Sequence, residues 1–478
     1  MNYETVIGLE VHLHLNTRTK AFCGCSTQFG NPANTQACPV CLGFPGTLPV
    51  YNKTALDFGI KVGLALGCTI QNYTKFDRKN YFYPDLPKAY QISQFDLPLA
   101  REGFIDIELD NNGHKRIGII RVHMEEDAGK LIHETSESLV DYNRTGVPLL
   151  EIVTHPDMNS PEEAYKYLTN LKAVLSYLDV SDCDMEKGSL RCDANVSIRK
   201  PGVKELGTKA ELKNMNSFKA VKDALEYEVK RQAAVLDEGG KIIQETRLWD
   251  EKSGQSVSMR TKEGAQDYRY FPEPDLPPFV IDKARIEQIK AAIPELPKEK
   301  KNRLMKDFGL SETDALILVA SKKDAEFSEG CINNYSAVDK KAVVNWLIGP
   351  LLSEANVRNC AISELKIAPQ GLAGLIGLVN SDKISNLTAK IVLKDMIDSG
   401  KSAEAIISEK NLGQVSDESS LNAHIEEVIK ANTPTVESYK AGKTNAVMFL
   451  VGQVMKRSGG KANPKMVQDM LKRRLDNA

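Results

Sequence analysis

Four cysteines near the start of the chain have a spacing that suits a metal. Cys23, Cys25, Cys38 and Cys41 form the pattern C-x-C-x12-C-x2-C across a loop rich in glycine, proline and asparagine. Two close pairs of thiolates match a tetrahedral structural zinc site, in which the metal replaces a core that such a loop cannot build. The alternatives are four unrelated reduced cysteines or a redox C-x-x-C, and no thioredoxin-like βαβ pattern supports the latter.

A second set of candidates lies where apolar and polar residues alternate, which is typical of β-strands. The polar positions are Glu10, His12 and His14; Arg121, His123 and Glu125; Arg191, Asp193 and Asn195; and Lys209, Glu211 and Lys213. Glu151 lies inside an otherwise apolar strand, where an unpaired carboxylate is costly. The simple interpretation is the solvated face of an antiparallel sheet. If the strands share one sheet, oxygen ligands beside basic residues suit magnesium and a polyphosphate, and His12 is a softer ligand.

The segment from Arg78 to Gln94, RKNYFYPDLPKAYQISQ, interleaves aromatic residues with cations. Lys79, Tyr81 and Lys88 belong to it. Such a segment can stack a base and hold phosphates, or it can be a packed surface loop. The sequence contains neither the G-x-x-x-x-G-K-[ST] pattern nor the G-x-S-x-G pattern, so a nucleotide here would not be held by a P-loop.

The elements that position these residues predict an α+β fold. Residues 1–295 alternate as strands do and form a large β-rich, cradle-like domain. From Pro297 the pattern becomes helical, with Ser311 as an N-cap, and it breaks near Ser399–Gly400. We therefore expect a helical domain over residues 296–405 and a small helical domain over residues 406–478.

The overall composition excludes few classes of protein. The chain has 478 residues, 26% of them charged, and a net charge of −2, which does not exclude a local basic patch. The sequence contains no run of 18 apolar residues, so no membrane-spanning helix is expected. The start, MNYETVIGLEVHLHL, lacks the features of a signal peptide, so we expect a cytoplasmic protein without disulfide bonds.

Several long motifs together resemble one protein family. They are YETVIGLEVHLHL, CPVCLGFPGTLPV, RKNYFYPDLPKAYQISQ, HMEEDAGK, DYNRTGVPLLEIVT, GSLRCDANVSIR, ELKNMNSF, and ETRLWDE followed by SMRTKEGAQDYRYFPEPDLPP. In this order they are similar to the B subunits of bacterial aspartyl/glutamyl-tRNA amidotransferases, over essentially the whole chain. The helical tail resembles the RNA-contacting C-terminal domain of that family.

The resemblance implies a ligase of protein biosynthesis that corrects misacylated Glu-tRNA(Gln), Asp-tRNA(Asn) or both. ATP phosphorylates the side-chain carboxylate, and ammonia then displaces the phosphate. The metal and lysines would neutralise charge on the phosphoryl group. The chain shows no nucleophile with a base that could release ammonia from glutamine, since Cys183 and Cys192 lie beside acidic residues. The implied complex is a heterotrimer with an amidase-type A subunit and a small C subunit, which deliver ammonia through a channel.

The resemblance also assigns site residues. Glu10, His12 and Glu125 are the implied magnesium ligands, with Asp193, Glu151 and Glu211 nearby. Glu10, His12, Glu125 and Asp193 form the implied catalytic set. Lys79, Tyr81 and Lys88 are candidates for nucleotide contact or the channel mouth, and Glu151 and Glu211 also belong to the implied cofactor-binding set. All four positions of the zinc-type cysteine set are occupied, although the chemistry does not require zinc.

The end of the chain is strongly basic. From Lys440 to Ala478 there are nine basic and two acidic residues, which leaves a net charge of +7. The segment NAVMFLVGQVMKR predicts an amphipathic helix that ends at Gly459–Gly460, and Asn463–Pro464 begins the next one. This charge is either an ordinary solvated helix face or a docking surface for the body of the tRNA.

Two other classes of function remain open. One is an ATP-dependent ligase that joins ammonia to a free amino acid without RNA, against which the basic tail argues. The other is a non-catalytic, zinc-stabilised scaffold that binds tRNA, against which the clustered carboxylates argue. Binding of tRNA in a gel-shift assay separates the first from the amidotransferase. Turnover of ATP by the reconstituted complex separates the second.

Overall fold

The computed structural model describes residues 3–109, 113–261, 267–337, 339–412, 418–458, 462 and 464–476. The chain forms two compact units, Met1–Leu296 and Pro297–Ala478. The first contains a large mixed sheet and the second is helical, so the predicted α+β class is confirmed.

Within the described residues, the strands all belong to the first unit. They are β1 (Glu4–His14), β2 (Thr69–Ile70), β3 (Tyr73–Thr74), β4 (Asp77–Asn80), β5 (Tyr90–Ser93), β6 (Ala100–Glu108), β7 (His114–Glu126), β8 (Lys130–His133), β9 (Ser138–Asp141), β10 (Pro148–Thr154), β11 (Leu190–Arg199), β12 (Ala210–Lys213), β13 (Glu245–Asp250), β14 (Gln255–Thr261), β15 (Phe271–Pro272) and β16 (Phe279–Val280).

The helices are divided between the two units. Those of the first unit are α1 (Lys53–Ala65), α2 (Pro161–Tyr177), α3 (Phe218–Asp237) and α4 (Lys283–Ala291). Those of the second unit are α5 (Pro297–Phe308), α6 (Glu312–Leu318), α7 (Lys322–Asn334), α8 (Lys341–Trp346), α9 (Leu352–Val357), α10 (Pro369–Asn380), α11 (Asn386–Ser399), α12 (Ala403–Glu409), α13 (Glu418–Ala431), α14 (Thr433–Lys440), α15 (Ala446–Arg457) and α16 (Pro464–Asp476). A π-helix over Leu347–Leu351 and a 3-10 turn over Ile362–Glu364 complete the second unit.

A nine-stranded sheet forms the centre of the first unit, in the order β14-β13-β12-β11-β1-β10-β7-β6-β2. All neighbours are antiparallel except β12 and β13, which are parallel. Period-2 alternation places Val11, Met124 and Val196 in one continuous core, to which the buried residues of α1, α2 and α3 also belong. The opposite face of the central strands carries the polar residues.

A small sheet of β15, β4 and β5 accompanies the large one. Gln91 and Ser93 on β5 hydrogen-bond to the Glu125 carboxylate of the large sheet, at 3.0 and 2.6 Å. The simple expectation of a solvated polar face is therefore wrong at this position, because the small sheet covers the end of β7 and leaves Glu125 only 3% exposed.

Local signals in the sequence identified several helix ends. Ser311 caps α6, and its hydroxyl accepts the N–H of Asp314 at 3.1 Å. Helix α11 ends at Ser399, followed by Gly400 in the left-handed region with φ of 71°, which a glycine adopts without strain. The predicted amphipathic helix is α15, whereas Gly459, Gly460 and Asn463 lie outside the described residues.

The described part of the chain contains three hydrophobic cores. One belongs to the first unit, and the second extends from Leu304 to Ile406. The third joins buried residues of α13, α15 and α16, from Leu421 to Leu475. The boundaries proposed at residues 295 and 405 stay predictions. In the described ranges, no helix has the length and apolar character that crossing a membrane requires.

Candidate active site and metal sites

Four central strands bring the predicted carboxylates together across the sheet. The register places His12 on β1 opposite Glu151 on β10, and Glu151 in turn opposite His123 on β7. On the other side of β1, Glu10 lies opposite Asp193 on β11. Because side chains opposite each other in antiparallel strands lie on one face, residues far apart in sequence become neighbours.

The neighbouring ligand atoms form two groups that share one carboxylate. In the first, Nε2 of His12 lies 3.6 Å from Oε1 of Glu10 and 3.5 Å from Oε2 of Glu151. In the second, Nε2 of His123 lies 3.4 Å from Oε2 of Glu151 and 3.2 Å from Oε1 of Glu125. Within each group of three residues, ligand atoms lie within 4.8 Å of one another. Such a distance allows one cation to contact all three.

This arrangement differs from the ligand set implied by the family resemblance. That set joined Glu10, His12 and Glu125, whereas the structure groups Glu125 with His123 and Glu151. Glu151, which was assigned to cofactor binding, belongs to both groups. It is 5% exposed, and its carboxylate lies between the two histidines.

Opposite charges determine the protonation of this cluster. Burial works to lower the pKa of His123, but Glu151 and Glu125 outweigh it and raise the pKa to about 9. Burial opposes the ionisation of Glu151, and His123 and His12 nonetheless hold its pKa well below the usual range. His123 is therefore ion-paired in the metal-free cluster, and a cation that binds it must displace its proton.

Burial raises the pKa of Glu10, and the nearby Glu151 charge raises it further. Glu125 behaves in the opposite way. Burial and Glu151 oppose its ionisation, yet Lys79 and His123 lower its pKa. The two outer carboxylates thus differ because Lys79 and His123 outweigh burial at Glu125, whereas His12 and Lys213 do not outweigh it at Glu10.

Lysines flank the carboxylate cluster. Lys213 on β12 forms ion pairs with Asp193 and, at 3.3 Å, with Glu211. Lys79 on β4 has a raised pKa, since Glu125 and Glu151 more than offset its burial. Positive charge beside ionised carboxylates is what a phosphorylated ligand with its metal requires.

The aromatic candidates lie around Lys79. Its ammonium group lies 5.1 Å from the centre of the Tyr268 ring, and the Tyr81 ring lies 6.1 Å from that of Tyr268. Burial raises the pKa of Tyr81 to about 12. Lys88 has a different neighbour, because its ammonium pairs with the buried Glu126 and lines a cavity of about 180 Å³ beside the cysteine loop. The structure therefore does not place Lys88 in the carboxylate cluster.

A second ion-pair network adjoins the cluster on the same strands. The Asp127 carboxylate accepts a hydrogen bond from Arg191 at 2.8 Å and also contacts His14 and Arg144. Burial opposes its ionisation, but Arg191 and His14 hold the pKa of Asp127 well below the usual range. Asp127 is 4% exposed. Its ion pairs join β1, β11 and the loop that carries Arg144.

Sequence reasoning gave no role to His123, Lys213, His14, Arg191 or Asp127. Each of the first four lies two residues from an assigned residue, and therefore on the same face of its strand. Asp127 directly follows β7 in the acidic run after His123. A consistent period-2 interpretation of each strand, carried one residue past its end, would have included all five.

The four cysteines of the N-terminal loop come together as their spacing predicts. Their Sγ atoms lie within 4.8 Å of one another, and Cys41 is buried. The Cys38 backbone N–H donates to Cys41 Sγ at 3.2 Å. A hydrogen bond from Cys23 is the largest of the contacts that lower the pKa of Cys41 to about 4. Four converging sulfurs are a complete donor set for tetrahedral zinc.

Comparison with known proteins identifies the family. Residues 5–287 match the model of the GatB/GatE catalytic domain, and residues 326–475 match that of the GatB domain. Three relatives are each named as the B subunit of an aspartyl/glutamyl-tRNA(Asn/Gln) amidotransferase. They come from Caldanaerobacter subterraneus subsp. tengcongensis (55% identity, covering 99% of this chain and 100% of the relative), Carboxydothermus hydrogenoformans (54%, 99% and 99%) and Brevibacillus brevis (52%, 99% and 99%). The chain therefore belongs to the family of B subunits of the tRNA-dependent amidotransferases, which are enzymes of the ligase type.

Proposed function

We propose that the carboxylate–histidine face binds magnesium and the phosphates of ATP, and that it activates the side-chain carboxylate of misacylated Glu-tRNA(Gln), Asp-tRNA(Asn) or both. The observation that carries the proposal is the pair of ligand groups that share Glu151 between Lys79 and Lys213. Oxygen-rich ligands suit magnesium, which completes its shell with water and phosphate oxygens. Bound magnesium would neutralise charge on the transferred phosphoryl group.

The reaction balances in two steps. A carboxylate oxygen of the aminoacyl group attacks the γ-phosphorus of ATP, the bond to the bridging oxygen breaks, and ADP leaves. The nitrogen of ammonia then attacks the acyl carbon, the C–O bond to phosphate breaks, and the nitrogen loses a proton. Phosphorylation is required because an oxide ion is too poor a leaving group for ammonia to displace. Lys79 and Lys213 would orient the anionic groups before the first step.

Ammonia must come from another protein chain. The relatives are named as B subunits, which implies a complex with other chains. We propose an amidase-type A subunit as the glutaminase and a small C subunit, with misacylated tRNA as the substrate. Cys183 and Cys192 are buried, and burial raises the pKa of both thiols, so neither is an activated nucleophile.

We also propose a structural zinc ion on Cys23, Cys25, Cys38 and Cys41. The support is the convergence of the four thiols and the absence of an open ligand position in a set of four sulfurs. The ion would hold the N-terminal loop rather than take part in the reaction. Zinc near one equivalent per chain, measured by elemental analysis of protein prepared without chelator, is the expected result, whereas freely alkylated thiols would contradict it.

The decisive experiment tests the activation step by measuring where the oxygen atoms of the side-chain carboxylate go. Glu-tRNA(Gln) and Asp-tRNA(Asn), each labelled with ¹⁸O in the side-chain carboxylate, are given to the reconstituted complex with ATP, magnesium and glutamine. Transfer of one ¹⁸O atom to inorganic phosphate with each amidation is expected, since the carboxylate oxygen becomes part of the acyl phosphate. Amidation without label in phosphate would refute the activation step. Amidation of free glutamate at an equal rate would favour the tRNA-independent ligase, and tRNA binding without ATP turnover would favour the scaffold.

A further inference from the structure

One lysine is completely enclosed beside the cysteine loop. Lys20 is 0% exposed and is among the largest fully buried side chains of the described residues. Its ammonium donates to Sγ of Cys41 at 3.6 Å and to the backbone carbonyl of Tyr142 at 3.2 Å. Burial of an ammonium group is costly unless an anion or several hydrogen bonds compensate for it.

A carboxylate does not supply this compensation. Glu126 lines the same cavity as Lys20, but it forms its ion pair with Lys88. Among the described residues, no carboxylate oxygen lies within 4.0 Å of the Lys20 ammonium. The group in contact with Lys20 that can carry negative charge is the sulfur of Cys41.

The proposed zinc site needs positive charge. One divalent zinc ion bound by four thiolates leaves a complex with a net negative charge of two. Cys41 is the buried member of the four, so the negative charge there is the least accessible to water. A charge-assisted N–H···S hydrogen bond satisfies both partners, since the ammonium gains an anion and the thiolate loses part of its excess charge.

We propose that Lys20 is a positioning residue for the zinc site, where its fixed positive charge offsets that of the tetrathiolate complex and orients the Cys41 sulfur. The inference rests on the zinc site proposed above. Hydrogen bonds from outside the ligand shell are known to orient ligands and tune a metal site, and their loss typically costs 10–100-fold in metal affinity.

The backbone around Lys20 fits this role. The Lys20 N–H donates to the Cys25 carbonyl at 3.0 Å, so the lysine and one ligand-bearing turn are held together. The next residue, Ala21, donates its N–H to the Gly146 carbonyl at 2.7 Å. The side chain of Lys20, through Tyr142, and the main chain of Ala21, through Gly146, thereby attach the cysteine loop to the segment that leads into β10.

The experiment replaces the lysine and measures the metal itself. Zinc affinity of the full chain is determined by competition with a chelator, and the cobalt-substituted protein is examined by absorption spectroscopy. Lys20→Met removes charge and donor but keeps the length of the stem, and we expect a tenfold or larger rise in the Kd for zinc. The sulfur-to-cobalt charge-transfer band should move to longer wavelength, since Cys41 becomes a stronger electron donor. Lys53→Met, which neutralises an exposed lysine at the start of α1, is the control.

A second variant separates charge from packing. Lys20→Gln retains an N–H donor without the charge and should fall between wild type and Lys20→Met, and it decides the matter if the methionine variant does not fold. A Kd within twofold of wild type and an unmoved cobalt band in the folded variants would overturn the role of Lys20 alone. A wild-type chain that binds neither zinc nor cobalt would overturn the zinc site and the role of Lys20 together.

Discussion

Charged side chains have different environments on the central sheet and on the helices around the third hydrophobic core. On the central sheet, Glu151 and Asp127 are nearly inaccessible to water, and each contacts more than one cation. In the third core region, by contrast, Arg457 and Arg474 form ion pairs with exposed acids of α13, and other cations there extend into solvent. Buried pairs fix geometry because breaking them leaves an uncompensated charge, whereas exposed charges mainly create a field.

This contrast suggests a division of labour. A network of buried ion pairs can hold reacting groups at defined positions. An excess of exposed positive charge attracts a polyanion without reading its sequence. The following predictions test whether the central sheet and the helices of the third core differ in this way.

The largest effect is expected at the carboxylate shared by the two ligand groups. Glu151→Gln keeps the shape but removes one negative charge between His12 and His123, so both groups lose their common ligand. Transamidation by the reconstituted complex should fall at least about 10³-fold, which corresponds to about 4 kcal/mol. The basal glutaminase activity of the partner should not change. Glu10→Gln and Glu125→Gln each affect one group and should also reduce amidation to near background.

A control on the same unit separates charge from position. Glu137→Gln alters an exposed carboxylate next to the β8–β9 hairpin, and its rate should equal that of wild type. If Glu151→Gln reached wild-type rates at saturating magnesium, the shared-ligand interpretation would be wrong.

The second prediction concerns the stability of the buried network. Asp127→Ala leaves Arg191, His14 and Arg144 without their common carboxylate, and the free energy of unfolding of the first unit should fall by about 3 kcal/mol. The chain contains two tryptophans, and Trp249 lies in the first unit. Urea unfolding followed by Trp249 fluorescence in a Trp346→Phe background therefore measures this unit.

The matched variant in the second unit is Glu427→Gln, which removes the exposed partner of Arg457. A surface ion pair contributes at most about 1 kcal/mol, so the calorimetric unfolding temperature should change little. Equal losses in the two variants would remove the distinction between buried and exposed charge.

The third prediction is the pH dependence of the metal-free first unit. The pKa of His123 is raised to about 9, above its unfolded value of about 6.5. Its stabilising contribution is therefore fully present below about pH 6.5 and is lost as the pH rises through about 9, with a size on the order of 3 kcal/mol. The same urea experiment with chelator present should show this loss in wild type and a flatter profile in His123→Gln. Parallel profiles would contradict the pairing of His123.

Local sequence predicted local structure well and long-range pairing poorly. The Ser311 cap and the end of α11 depend on residues within one turn, and both were identified. The strand faces also followed from alternation. The pairing of β1 with both β10 and β11 joins residues more than 130 positions apart, and no local pattern specifies that register.

The same limitation explains why the structure groups the candidate ligands differently from the predicted set. Alternation revealed that Glu10, His12 and Glu125 face one side of their strands, but the distances between them depend on which strands are neighbours. Because β10 lies between β1 and β7, Glu151 separates the first two residues from Glu125 and contacts both histidines. The cover over Glu125 by β5 is likewise a tertiary contact that no single segment encodes.

The smallest effect is expected on the exposed charge of the helical tail. Lys440, Lys443, Lys456 and Lys472 are exposed and, within the described residues, have no ion-pair partner, whereas Arg457 and Arg474 pair with Glu427 and Glu426. Replacing the four lysines with glutamine should raise the KM for aminoacyl-tRNA about tenfold, or 1.4 kcal/mol. Binding should also depend less steeply on salt, because fewer counterions are released.

Replacing the two paired arginines should have a smaller effect, since part of their charge is already neutralised. The KM for ATP should stay near the wild-type value in both variants, as a change there would indicate a general loss of structure. If tRNA affinity is unchanged at two salt concentrations, the basic tail has a packing role and the proposed docking surface lies elsewhere.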